Sequence, residues 1–150
     1  MEREITVDEW IVHFISEPQK REVAVKFLEK VHQKCDKLVT LRGGPLDQKI
    51  WKMAKSSQDW DIGGKRLVKW FMREFRLSSK FRALEELDME PLPGDLERET
   101  PEDDLYLVKT AISTLDRLIV TTDGGLKERL SSRSELTVCF FDEFFKVYNC

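Results

Sequence analysis

Short, largely apolar runs recur along this chain, and helical periodicity fills much of the sequence between them. The runs occupy residues 5–7, 37–41, 118–120 and 136–138. Runs of this kind suit strands that helices cover on both faces of a sheet. Strands that alternate with helices predict a parallel sheet. The sequence therefore predicts an α/β protein, a three-layer α/β/α fold with a small parallel sheet of four to five strands.

The predicted helices have less regular boundaries. Apolar residues recur at three- and four-residue steps in residues 21–33, and the Gly-Gly-Pro sequence at residues 43–45 predicts the start of another helix, where proline costs little. Residues 56–64 are polar and predict a loop. Residues 85–104 contain three prolines and predict an irregular segment that leads into a helix at Asp104.

Composition limits the class of protein. The chain has 150 residues, of which 41% are hydrophobic and 35% charged, which predicts one globular domain over residues 1–150. No apolar run approaches membrane-spanning length, and the first residues lack a signal-like pattern, so we expect a cytoplasmic protein. Three scattered cysteines and two histidines argue against a disulfide framework and a structural zinc site.

Acidic residues stand at the ends of the predicted elements. Asp8 follows the first strand, Asp123 closes the strand at residues 118–120, and Asp104 opens a helix. In open α/β sheets, ligands bind at the carboxyl ends of the strands. Clustered carboxylates repel one another unless a cation neutralises them, and Mg²⁺ and Mn²⁺ prefer oxygen ligands. The pattern predicts a metal site that holds Mg²⁺ or Mn²⁺ through Asp8, Asp104 and Asp123.

This arrangement resembles the PIN-domain family, whose members are mostly metal-dependent ribonucleases and include the VapC-like toxins. The resemblance rests on Asp8, on Asp104, on the Thr121-Thr122-Asp123 turn and on a closing strand and helix at residues 136–145. It extends over nearly the whole chain, although the middle matches poorly. The sequence also departs from the family where Glu9-Trp10 follows the first acid in place of the commoner Thr-Asn.

The resemblance implies an Mg²⁺- or Mn²⁺-dependent endoribonuclease that cleaves RNA. It further implies a homodimer and, for toxin-like members, a small antitoxin-like protein that blocks the acidic site. A mid-chain acid is also expected: Asp47 has the best position, and Asp59 and Asp61 are alternatives. Asp103 is a further candidate ligand beside Asp104, and the Thr121 hydroxyl is expected to orient the carboxylate of Asp123.

A basic stripe supplies candidate RNA contacts. Cationic residues recur at three- and four-residue steps along a helix predicted between residues 65 and 82. They are Arg66, Lys69, Arg73, Arg76 and Lys80, and the first four are the predicted RNA-binding residues. Aromatic residues nearby would stack unpaired bases if they were exposed. The alternatives are a solvated face over an aromatic core, a helix broken at Ser78-Ser79, and masking of the stripe by the acidic residues 85–104.

A second interpretation remains open. Taken singly, Asp104 is an ordinary acid in the first turn of a helix and Asp123 is an ordinary turn residue. Only their joint placement with Asp8 favours a metal site. The rival hypothesis is therefore a non-catalytic module for binding RNA or protein that keeps the fold and has a degenerate acidic site.

Overall fold

Five parallel strands form a single sheet in the computed structural model, which describes residues 3–148 apart from the side chain of Val147. The strands are β1 (Glu4–Val7), β2 (Lys37–Leu41), β3 (Phe81–Leu84), β4 (Leu118–Thr121) and β5 (Thr137–Phe140), in the spatial order β3-β2-β1-β4-β5. The predicted runs correspond to β1, β2, β4 and β5. The fifth strand, β3, begins inside the helix predicted between residues 65 and 82 and extends two residues beyond it.

Helices connect the strands and cover the sheet. They are α1 (Trp10–Ser16), α2 (Arg21–Gln33), α3 (Pro45–Ser56), α4 (Ile62–Phe71), α5 (Gly94–Glu99), α6 (Leu105–Ile112), α7 (Gly124–Leu130) and α8 (Phe141–Tyr148). A π-helical turn, Met72–Arg76, continues α4. Among the described residues, none of these helices is both long and apolar enough to cross a bilayer.

Two hydrophobic cores lie on opposite faces of the sheet. Along β4, Leu118 and Val120 point into the larger core, and Ile119 points into the smaller one. The larger core is packed by α1, α2, α3, α4 and α8, and the smaller by α5, α6 and α7. The three-layer α/β/α prediction is therefore confirmed, because successive side chains of a strand point to opposite faces and both faces are covered.

Several predicted boundaries were wrong for local reasons. The helix predicted between residues 65 and 82 ends at the π-helical turn, in agreement with the alternative of a break at Ser78-Ser79: the Ser78 hydroxyl donates to the carbonyl oxygens of Glu74 (2.6 Å) and Phe75 (3.0 Å). Residues 62–64, predicted as loop, belong to α4 because the Asp61 carboxylate caps its N-terminus. The irregular segment contains α5, and the helix predicted at Asp104 begins one residue later.

The strand order creates a switch point between β1 and β4. From β1 the chain builds outward through β2 and β3 on one side, while β4 and β5 lie on the other. Loops that follow β1 and β4 therefore diverge and leave a crevice at the carboxyl edge of the sheet. The Trp10 indole donates from Nε1 to the carbonyl oxygen of Val120 (2.9 Å), which joins the start of α1 to the end of β4 at this crevice.

The thiols contribute no disulfide within the described residues. Cys35 and Cys139 are both free. Cys150, the third cysteine, lies outside the described residues.

Candidate acidic metal centre

Three of the predicted acids line one cleft. Asp8, Asp104 and Asp123 border a cavity of about 610 Å³ at the switch point. Asp8 follows β1 and Asp123 follows β4, two strands that are paired with Val7 opposite Val120. Asp104 reaches the same cleft from the N-terminal end of α6. The tertiary structure thus places together three acids that are as many as 115 positions apart in the chain.

Thr121 connects two of these acids. Its hydroxyl donates to Oδ2 of Asp8 (2.6 Å) and accepts a hydrogen bond from the backbone N–H of Asp123 (3.0 Å). The other oxygen of Asp8, Oδ1, accepts from the backbone N–H of Trp10 (3.0 Å). The prediction that Thr121 orients the carboxylate of Asp123 was wrong. The hydroxyl orients the carboxylate of Asp8, because Thr121 lies directly beside the end of β1.

Asp123 has a structural role as well. Its Oδ1 accepts a hydrogen bond from the backbone N–H of Leu126 (3.1 Å) and so caps α7. Oδ2 is not used by that cap, and Asp123 is exposed at the cleft. Asp103 lines the cleft too and is also exposed, which keeps it available as a further oxygen donor.

In the part of the chain that the structure describes, the one lysine that lines this cleft, Lys20, pairs with Glu17 and not with Asp8, Asp104 or Asp123. Burial raises the pKa of Asp8, with hydrogen bonds from Thr121 and Trp10 opposing the rise. Burial also raises the pKa of Asp104, and the charges of Asp123 and Asp8 add to it. Both carboxyl groups therefore bear a free-energy cost of ionisation that a bound cation would offset.

Other charged and polar groups surround the cleft. Glu9 lies beside Asp8 and pairs with Lys49 (3.2 Å), and Glu17 pairs with Lys20 (3.5 Å). Burial and the neighbouring acids raise the pKa of the Tyr106 phenol, which is protonated at neutral pH even at its ordinary pKa. Glu17 was not among the predicted site residues, although it lies one helical turn from His13 and two from Trp10, a spacing that would have placed it on the cleft side of α1.

The acidic side chains of the cleft are of the chemical type that binds a divalent cation, but they do not stand close enough together to surround one. Carboxylate oxygens with unneutralised charge are the ligands that Mg²⁺ and Mn²⁺ prefer. Yet within residues 3–148, no three His, Cys, Asp or Glu side chains stand close enough to hold a metal ion as they are placed. Rotation of exposed carboxylates such as Asp103 and Asp123 is therefore required for them to surround a cation.

Asp47 lies outside this cleft. It is buried, and its carboxylate accepts hydrogen bonds from Nε (2.8 Å) and Nη2 (3.2 Å) of Arg76 and from the backbone N–H of Gly43 (2.9 Å). The prediction of Asp47 as a site residue therefore needs correction, because the arginine already compensates its charge. The alternatives also lie elsewhere: Asp59 is exposed, and Asp61 caps α4 and pairs with Arg21 (2.8 Å).

The basic stripe is divided by the tertiary structure. Arg66, Lys69 and Arg73 are exposed, whereas Arg76 is only 9% exposed and is bound to Asp47. Arg76 is thus a structural residue, and its assignment to RNA binding was wrong. None of the four lines the acidic cleft.

The aromatic residues near the stripe are buried or half-buried. Phe71 and Phe75 are fully buried, and Trp70 is half-buried against His32 and Phe75. The acidic segment at residues 85–104 makes its ion pairs elsewhere, with Arg42, Arg117 and Arg133. The prediction that it masks the stripe gains no support from these contacts.

No protein-family model matches this chain, and no curated protein sequence matches it significantly. Function is therefore argued from the fold and from the acidic cleft.

Proposed function

We propose that this protein is an Mg²⁺- or Mn²⁺-dependent endoribonuclease of the kind found in the PIN-domain family. One observation carries the proposal: Asp8, Asp104 and Asp123 line one cleft at the switch point of a parallel sheet. Raised pKa values at Asp8 and Asp104 add support, because carboxyl groups that are costly to ionise alone gain most from a cation.

The chain's own groups have distinct roles in this proposal. Asp8 would be a ligand in a fixed orientation, since both of its oxygens accept hydrogen bonds. Asp104 and Asp123 would be the more adjustable ligands, with Asp103 beside them. The bound cation would supply positive charge to the scissile phosphate and would activate a water molecule. The protonated Tyr106 phenol would be a donor to a phosphate oxygen, because it remains neutral among the acids.

The remaining expectations are also proposals. RNA would contact the exposed Arg66, Lys69 and Arg73, and an antitoxin-like protein would block the acidic cleft. Reversing these three charges should weaken RNA binding and reduce its dependence on salt, by about 0.7 in the log–log slope for each lost phosphate contact with a single strand. An unchanged slope would show that Arg66, Lys69 and Arg73 do not contact RNA phosphates. A cytoplasmic location is consistent with RNA as substrate.

A non-catalytic PIN-like module is the second candidate. Two observations favour it: the acids of the cleft are not close enough to enclose a metal ion, and Asp47 is neutralised by Arg76. In this interpretation the cleft would bind a cationic group of a partner and would cleave nothing.

The deciding experiment is cleavage of a mixed RNA pool with Mn²⁺, Mg²⁺ or EDTA. Asp104→Asn is the test variant, and Asp59→Asn is its matched control because Asp59 is an exposed acid outside the cleft. Metal-dependent cleavage that Asp104→Asn loses and Asp59→Asn keeps would support the nuclease. Equal cleavage by both variants would point to a contaminant and overturn the proposal.

Metal binding is measured separately by thermal melting. A ligand that binds only the folded protein raises the melting temperature. A rise with Mn²⁺ in the wild type and not in Asp104→Asn would support the site. Absence of both cleavage and a melting shift would make the non-catalytic module the better description.

A further inference from the structure

A second cleft, here called the basic groove, lies between α3, α4 and the π-helical turn. Its volume is about 770 Å³, and it shares no lining residue with the acidic cleft. Its apolar lining comes from Ala54, Val68, Met72 and Leu77, and its cations are Lys65, Lys69 and Arg73. Leu77 is 67% exposed at the groove.

The cations of the groove have little internal compensation. Within residues 3–148, Lys65 and Lys69 form no ion pair, and Arg73 pairs only with its neighbour Glu74 (3.1 Å). The apolar lining is aliphatic and contains no aromatic ring on which a nucleic-acid base would stack. The groove therefore suits a protein surface that combines acidic side chains with an aliphatic one.

The same chain presents a surface of that kind. The residues Glu86-Leu87-Asp88, here called the acidic knob, form a short 3₁₀ turn directly after β3. Leu87 is 99% exposed, and neither Glu86 nor Asp88 forms an ion pair with another described residue. Two backbone hydrogen bonds, from Asp88 to Glu85 (3.0 Å) and from Met89 to Glu86 (3.2 Å), fix the turn. The flanking Glu85 is anchored by Arg42 (2.6 Å).

We propose that two copies of this chain form a dimer in which the acidic knob of each copy occupies the basic groove of the other. Leu87 would enter the aliphatic floor of the groove, and Glu86 and Asp88 would pair with its lysines. Because Lys69 and Arg73 also belong to the proposed RNA contacts, the acidic knob of a partner copy and RNA would compete for these two side chains.

The position of both surfaces along the chain makes the contact reciprocal. Leu77 precedes β3 and Leu87 follows it, and β3 is the edge strand of the sheet. Two copies that place their β3 strands side by side and antiparallel bring the residues before β3 of one copy opposite those after β3 of the other. Both knob-to-groove contacts then form in one two-fold interface. Because each copy uses both of its surfaces in that interface, the assembly does not grow beyond a dimer.

The first test is the oligomeric state of purified protein, measured by sedimentation velocity from micromolar to sub-millimolar concentration. The wild type should dimerise, and Leu87→Ser and Leu77→Ser should each weaken the dimer by about tenfold or more. Leu115→Ser is the matched control, because Leu115 is 94% exposed and lies in neither surface. A monomeric wild type, or a dimer that none of these variants weakens, would overturn the proposal.

The second test exchanges the charges. One variant carries Lys65→Glu with Lys69→Glu, and the other carries Glu86→Lys with Asp88→Lys. Each alone should be monomeric, since groove and knob then have the same sign. A mixture of the two should form a heterodimer, because both reciprocal contacts again join opposite charges. A mixture that stays monomeric while both variants keep the wild-type melting temperature would refute the knob-to-groove contact.

Discussion

Thr121 and Asp8, 113 residues apart in the chain, are joined by a 2.6 Å hydrogen bond from the threonine hydroxyl to the aspartate carboxylate. The same hydroxyl accepts from the backbone N–H of Asp123 (3.0 Å). One fully buried side chain thus fixes the first acid of the cleft relative to the turn that carries the last. This contact exists because β1 and β4 are neighbours at the switch point of the sheet.

Removing this hydroxyl should affect the site more than the fold. Thr121→Val keeps the shape of the side chain but leaves the N–H of Asp123 and one oxygen of Asp8 without their partner. We expect a loss of about 1–2 kcal/mol in stability and a 10–100-fold loss in Mn²⁺ affinity. Thr121→Ser retains the hydroxyl and should retain the affinity. Calorimetric titration with Mn²⁺ checks both variants, and equal affinities would show that the hydroxyl does not position Asp8.

Neutralising Asp104 should stabilise the protein near neutral pH. Because its pKa is raised in the folded protein, the folded state keeps this proton to higher pH than the unfolded chain. The stability that depends on the proton is complete at low pH and is lost as the pH rises through the raised pKa. The variant Asp104→Asn avoids this loss, since its side chain is neutral throughout.

We therefore expect Asp104→Asn to melt about 1–2 °C above the wild type at neutral pH, a small shift because solvent screens a partly exposed carboxylate. Near pH 3 the two proteins should melt at the same temperature, since the wild-type carboxyl is then protonated in both states. Melting curves in EDTA across this range measure the difference. A wild type that melts higher at neutral pH would contradict the raised pKa.

Substitutions of Asp123 can separate two functions of its carboxylate, the negative charge at the cleft and the capping of α7. Asp123→Asn preserves an oxygen that accepts from the N–H of Leu126, so stability should change little while cleavage falls by about 100-fold or more. Asp123→Ala removes both functions and should also cost about 1 kcal/mol. Urea denaturation and cleavage rates distinguish the variants. Full cleavage by Asp123→Asn would exclude its carboxylate from the site.

Asp47 should behave as a structural residue. Asp47→Ala leaves Arg76 buried without its partner, and we expect a loss of about 3 kcal/mol or more. The double variant Asp47→Leu with Arg76→Met should recover much of this loss, because it removes both charges. Cleavage per folded molecule should be unchanged in the double variant. A specific loss of cleavage with stability restored would return Asp47 to the site.

Local sequence patterns were sufficient for the layers of the fold. Each apolar run in the β1, β2, β4 and β5 regions is a strand. β1, β2 and β4 are buried at nearly every position because helices cover both faces of the sheet, whereas β5 is an edge strand that stays partly exposed. β3 was not predicted because the exposed, charged Arg82 interrupts its short run of apolar residues. Its charge made the sequence around it resemble the basic face of a helix.

The candidate site was predictable only in part. Asp8, Asp104 and Asp123 were found because each stands at the end of an element, and element ends are visible in a sequence. Asp47 and Arg76 were assigned wrongly because their mutual ion pair spans 29 positions and depends on how α3 packs against the π-helical turn. A contact over that distance in the chain cannot be predicted from a local sequence pattern.

The sequence by itself determined the alternation of strands and helices, the apolar faces and the positions of acids at element ends, since these follow from the periodicity of local structure. The tertiary structure decided the strand order, and with it that β1 lies beside β4 and that Thr121 binds Asp8. It also decided which charges are compensated, as at Asp47, and which stay exposed, as in the basic groove. Those outcomes depend on long-range packing, which brings together residues that no local interaction connects.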